Sequence, residues 1–124
     1  MIVVHGSPEI EAFWKKTCAI LDISDDTHYH ALPFCEHDEN TDQQQLQIID
    51  DIGELAVKSL KRGTCHQVIQ FEKDNIPMRS VGDYWVVVKT DGAPRCVVKT
   101  FALNIVPFNR VGPEFAASEG PEGI

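Results

Sequence analysis

Lys61-Arg62-Gly63-Thr64 places an amine and a hydroxyl three residues apart, where a helical pattern ends and a β-branched run begins. The chain turns there, and a turn lets the two side chains converge. Threonine is a weak nucleophile unless a base stands beside it. Lysine becomes that base when burial disfavours its charged form. A carboxylate from elsewhere in the chain would complete a polar triad. The same spacing also fits two structural roles, a solvated lysine at a helix end and a threonine bonded to backbone. A second group, His28, His30, Cys35 and His37 with Glu36 and Asp38 beside it, has zinc-ligating residue types. Its spacing matches no zinc pattern, so it reads as a polar loop and no metal is expected. Cys65 and His66 are neighbours, which point to opposite faces of a strand, so no thiol–imidazole pair is expected. Tyr29, Phe34, Tyr84 and Trp85 offer rings on which a nucleobase can stack, with core packing as the alternative role of each.

These residues need elements to position them. Ser7-Pro8-Glu9 is a helix start: serine caps, proline suits the first helical position and glutamate complements the dipole. Ile10, Phe13, Trp14, Thr17, Cys18 and Leu21 follow with helical spacing, and the helix should end near Leu21 to Ile23. Tyr29 to Phe34 is an apolar island, a loop or short strand, ahead of an acidic loop over Cys35 to Asp42. Leu46, Ile49, Ile52, Ala56 and Leu60 predict a second helix from Asp42 or Gln45 to Leu60, with Gly63 as its stop. Gly53 weakens that helix by about 1 kcal/mol relative to alanine. Thr64 to Phe71 is a strand candidate. Two apolar runs, Tyr84–Thr90 and Cys96–Val106, flank Asp91-Gly92, a strong hairpin signal because a two-residue turn with positive φ suits Asp and Gly. Both runs are apolar on both parities, which predicts strands covered on both faces. Pro113 to Ser118 suits a helical turn, and the last residues, 121–124, are expected to fray.

The chain has 124 residues and a net charge of −8. That length suits a single domain, 1–124, able to bury about two-thirds of its unfolded surface. The charge argues against unassisted binding to a long phosphate backbone, whose affinity comes from lysine and arginine displacing counterions. Local basic places remain at Lys58 to Arg62 and at Arg79, Arg95, Lys99 and Arg110. No apolar run approaches the roughly 20 residues of a membrane span. The start lacks a basic region and a long apolar stretch, so it does not read as a signal peptide. The expectation is therefore a cytoplasmic protein, away from the membrane, with its four scattered cysteines reduced.

Ser80-Val-Gly-Asp-Tyr84, Pro94-Arg-Cys-Val-Val-Lys-Thr100 and Ile105-Val-Pro-Phe108, followed by Glu114-Phe-Ala-Ala-Ser-Glu-Gly120, resemble the ASCH (activating signal cointegrator homology) domain family. Glu11-Ala-Phe-Trp14, Tyr29 to Phe34 and Leu60 to Thr64 agree with it in order and spacing. The resemblance covers roughly residues 8 to 120. It implies an α+β fold, a PUA-like small β-barrel with packed helices around a cleft. It also implies work on RNA or modified nucleosides, without a cofactor. A small bacterial branch of the family hydrolyses N4-acetylcytidine to cytidine and acetate with a Lys-x-x-Thr pair and a glutamate. These map onto Lys61, Thr64 and Glu119 as catalytic residues. Tyr29, Phe34, Arg62 and His66 are then the residues expected to contact a nucleobase or single-stranded RNA. Ribonucleases and RNA-binding modules of the family imply an RNA-cleaving or RNA-binding alternative, and a non-enzymatic, degenerate interaction domain is a third.

The chain departs from the family pattern in three places. His66 stands where the hydrolase branch has arginine, and Leu60 where the family has a basic residue. The family's C-terminal helix and closing strand have no counterpart before Ile124. That last departure leads to the expectation of an exposed sheet edge, which invites a homodimer.

Overall fold

Helix α1, Pro8–Leu21, is set by its cap: the Ser7 side chain accepts from the Ile10 amide at 3.5 Å, and Pro8 opens the first turn. Asp22, in the left-handed region at φ 56°, ends it. Ile10, Trp14 and Cys18 form its buried stripe, as the spacing predicts. The computed structural model describes residues 7–35 and 37–120. The expected fraying of 121–124, the reading of the first six residues, and Glu36 lie outside the described residues.

Strand β1, Tyr29–Leu32, pairs in parallel with β2, Tyr84–Val88, which pairs antiparallel with β3, Pro94–Lys99. The hairpin read at Asp91-Gly92 is present, but its turn is not the expected two-residue one, and Asp91 does not have a positive φ. Its loop is Thr90–Gly92, closed by the Lys89 amide on the Ala93 carbonyl at 2.8 Å, with Gly92 at φ 91°. One residue with positive φ at the end of a three-residue loop is a favoured hairpin geometry for which glycine is suited. Every residue from Trp85 to Val88 is buried, because the sheet is covered on both faces. On one face Ala31, Val86 and Val88 pack with Ile10, Trp14 and Cys18 of α1. On the other, Leu32, Trp85 and Val87 gather Phe34, Cys96 and Val98.

Helix α2, Gln43–Val57, is capped by Asp42, whose carboxylate accepts from the Gln45 amide at 2.8 Å. It is tied to the hairpin by polar contacts. Asp50 accepts from the Thr90 amide and hydroxyl at 2.9 and 3.0 Å. Arg95 donates to the Asp50 carbonyl and pairs with Glu54. The helix ends sooner than expected: Ser59 turns left-handed at φ 61°, and the Leu60 and Lys61 amides close back on the Leu55 carbonyl. Lys61 therefore lies beyond the helix. Gly53 is buried, yet a Cβ there would meet nothing nearer than 3.8 Å, an ordinary contact with Arg95. Gly53→Ala is thus expected to stabilise the fold by about 1 kcal/mol, seen as a melting temperature about 4 °C higher.

Three expectations are corrected. Residues 64–67 are in no strand, and Val68–Lys73 is a short helix, α3. Val68 and Phe71 stand one helical turn apart, and burial of Phe71 outweighs the β preference of Val68 and Ile69. The second apolar run is a strand only as far as Lys99. Phe101 and Ile105 are 81% and 73% exposed, because residues 101–106 have no neighbouring strand among the described residues. The expected barrel is, in the described residues, a three-stranded sheet that does not close. A 3₁₀ turn, Phe108–Arg110, and helix α4, Pro113–Ser118, follow.

Candidate functional site

Three connections meet at Lys61: the residues after β1, those after α2, and the end of α4. Phe34 follows β1 and its ring lies 4.7 Å from that of Trp85. Trp85 is itself fixed by its indole N–H, which donates to the Leu32 carbonyl at 2.8 Å. The Lys61 ammonium stands 5.4 Å from the centre of the Phe34 ring. Lys61 is 9% exposed, an unusual burial for a lysine. Its Nζ lies 3.7 Å from Glu119 Oε1 and donates to the Glu119 carbonyl at 3.4 Å. A buried cation facing an aromatic ring and a carboxylate is strongly oriented, since each contact is made in a medium less polar than water.

Glu119 is delivered by α4. The Ser118 carbonyl accepts from the Arg62 and Gly63 amides at 2.5 and 2.8 Å, so the end of α4 is tied to the segment that carries Lys61. Thr64, half-buried, continues that segment, and its hydroxyl has no hydrogen-bond partner among the described residues. His66 is half-buried, with its ring edge-on to Phe71 at 5.9 Å. The Arg79 guanidinium lies over the Phe71 ring, 5.6 Å from its centre. Burial, then the Arg79 guanidinium, lower the His66 pKa, and the Glu119 carboxylate opposes them.

His66 is therefore neutral in the folded state at pH values where an unfolded chain already takes up a proton. Its contribution to stability is full above about pH 6.5, the ordinary histidine value. It declines as the pH falls from there toward the lower folded pKa. The melting temperature is expected to fall between pH 7.5 and 5.5, and His66→Gln is expected to flatten that slope.

The structure thus brings Lys61, Glu119 and Phe34 together, with Thr64 and His66 on the same connecting segment. Arg62 is exposed and takes part through its backbone. Tyr29 is placed elsewhere: its ring lies 4.7 Å from that of Trp14, within the cluster on the α1 face of the sheet. Burial and the charge of Glu11 raise its pKa. The histidine and cysteine group disperses. His28 and Cys35 are exposed, His30 stacks on Trp85, and His37 contacts the Thr90 carbonyl at 3.0 Å. No group of three or more His, Cys, Asp or Glu among the described residues is placed to hold a metal ion. No helix of the described residues is long and apolar enough to cross a membrane. Sequence reasoning noted Arg79 only as a basic residue near the sheet, and missed Phe71 and Ser118 as neighbours of the site. Their proximity arises from α3 and α4, whose placement leaves no local signal.

Comparison with solved structures finds the same small α+β arrangement. An ASCH domain from Lactobacillus crispatus JV V101 superposes with a TM-score of 0.71 at 22% identity, covering 97% of this chain and 73% of that one. A protein of Enterococcus faecalis V583 superposes with a TM-score of 0.75 at 20% identity, covering 90% of this chain and 68% of that one. No curated protein matches the sequence. The family model of the ASCH domain matches residues 39–123, which include α2, the hairpin and both Lys61 and Glu119. The chain belongs to the ASCH domain family.

Proposed function

We propose that the protein is an amidohydrolase that cleaves N4-acetylcytidine to cytidine and acetate. The observation that carries this reading is the buried Lys61 ammonium, 3.7 Å from the Glu119 carboxylate and 5.4 Å from the centre of the Phe34 ring. Phe34 supplies the ring on which a cytosine stacks. When a substrate excludes water, both charges of the Lys61–Glu119 pair are disfavoured. Transfer of one proton from Nζ to Oε1 then yields a neutral amine and a carboxylic acid together. The amine takes the proton of the Thr64 hydroxyl, or of a water, as it attacks the acetyl carbonyl. Glu119 protonates the exocyclic nitrogen as the C–N bond breaks. If Thr64 is the nucleophile, water then hydrolyses the acetyl-threonine ester and releases acetate. The Arg62 and Gly63 amides are engaged by Ser118, which leaves the Thr64 and Cys65 amides as the oxyanion donors of this segment.

The experiment is incubation of the purified protein with N4-acetylcytidine, following cytidine by chromatography. Release of cytidine and acetate in equal amounts supports the reading. Its absence from folded protein rules out this substrate. A second reading, self-association as an interaction domain, is favoured by the exposed apolar side chains of residues 101–106, which follow β3, an edge strand among the described residues. A dimer by sedimentation that Phe101→Asp dissolves would carry it, and a monomer at all concentrations would end it.

A further inference from the structure

We infer that Gly63 and Ser118 form a clasp that sets the distance between Lys61 and Glu119, which makes both positioning residues for the hydrolysis proposed above, on which this inference rests. The Arg62 and Gly63 amides converge on one oxygen, the Ser118 carbonyl. Lys61 is the residue before this pair of donors and Glu119 the residue after the acceptor. The two hydrogen bonds therefore hold the lysine and the carboxylate in register, one residue out on either side.

The approach is so close that position 63 accepts no side chain without a shift. A Cβ there would overlap Ser118 Oγ and stand 3.1 Å from Ser118 Cβ and 3.6 Å from the Phe115 ring. Gly63 has no positive φ, unlike Gly82, Gly92 and Gly120, so it is required for space and not for backbone angle. Ser118 Oγ is held in that space by donating to the Phe115 carbonyl at 2.6 Å. Helix α4 has no fully buried residue, and apart from its contacts with Lys61 the position of Glu119 depends on how the end of that helix is attached. The clasp supplies that attachment through the Ser118 carbonyl.

A double-mutant cycle tests this. Gly63→Ala forces Ser118 Oγ aside and leaves the 3.1 Å contact between the Cβ atoms. It is expected to lower kcat for N4-acetylcytidine by about 10²-fold with KM little changed, as a displacement of about 1 Å in a catalytic group does. Ser118→Ala alone supplies the reference rate of the cycle, and Gly63→Ala with Ser118→Ala is expected to turn over faster than Gly63→Ala, because the overlap with Oγ is gone. Ser118→Val, which adds bulk from the α4 side, should reproduce the defect.

A second readout needs no turnover. The NMR signal of the Lys61 side chain is expected to shift on Glu119→Gln in the wild-type background. It should fail to respond in the Gly63→Ala background and respond again once Ser118→Ala is added. An unchanged response in Gly63→Ala, or no recovery in the double variant, overturns the clasp. Wild-type protein that leaves N4-acetylcytidine intact but follows this NMR cycle refutes the proposed substrate and supports the clasp.

Discussion

Lys61→Ala is expected to reduce N4-acetylcytidine turnover by on the order of 10³-fold, the loss typical of a positioned acid–base group. Folding should survive, because Lys61 caps the Phe34 ring from the edge of the core and belongs to neither apolar cluster. Lys61→Arg is expected to be equally inactive. A guanidinium keeps the charge opposite Glu119 but does not give up its proton in a protein. Activity retained in Lys61→Arg would show that the cation acts by charge alone and would remove lysine as the base. Glu119→Gln keeps the shape of the partner and removes the proton it passes to the leaving nitrogen, so turnover should fall comparably. Thr64→Val separates the two routes of attack: loss as large as that of Lys61→Ala identifies the hydroxyl as nucleophile, whereas a loss below about tenfold assigns attack to water. Steady-state kinetics of the five proteins, with circular dichroism to check the fold, decides among these outcomes.

Trp85→Ala carries the second large effect. The ring is 9% exposed, lies under Phe34, stacks with His30 and donates its N–H to the Leu32 carbonyl. Removal of such a side chain costs about 3–5 kcal/mol. Domains of ordinary stability have about 5–15 kcal/mol in total. Trp85→Ala is therefore expected to remove a large share of the folding free energy, seen in urea titration as a midpoint lower by about 1–5 M. Trp85→Phe keeps most of the packing and removes the hydrogen bond, at about 1 kcal/mol. A small loss in Trp85→Ala would mean that the Phe34 side of the sheet packs independently of this ring.

The elements legible in the sequence are those whose causes are local. Ser7 caps α1, Asp42 caps α2, and Asp91-Gly92 joins β2 to β3, each within a few residues of the element it shapes. What misled the reading depends on distant neighbours. Val68 and Ile69 have β preference, but no strand pairs with them among the described residues, and Phe71 is buried against His66 and Arg79 through a helical turn. Phe101 to Val106 has the composition of a strand without a partner among the described residues. The same division holds at the site. Lys61 and Thr64 were visible as a spacing, whereas Glu119 could be reached only through the family resemblance. The Gly63–Ser118 approach was invisible, since close contact between two small residues leaves no pattern in composition or period.

The parallel pairing of β1 with β2 has a kinetic consequence. The hydrogen bond from Trp85 to Leu32 joins residues 53 apart in sequence, whereas β2 meets β3 across a three-residue loop. Closing a long loop costs chain entropy before its contacts repay it, so non-local pairings form slowly. The hairpin is expected to form in the folding nucleus and β1 to dock after it. Valine-to-alanine substitutions at Val97 or Val98 should slow folding, and Leu32→Ala should act mainly by speeding unfolding. The order would be reversed if Leu32→Ala slowed folding more than either valine variant did. Because Phe34 reaches Lys61 only once β1 is in place, a chain caught midway through folding would possess a formed hairpin and no site.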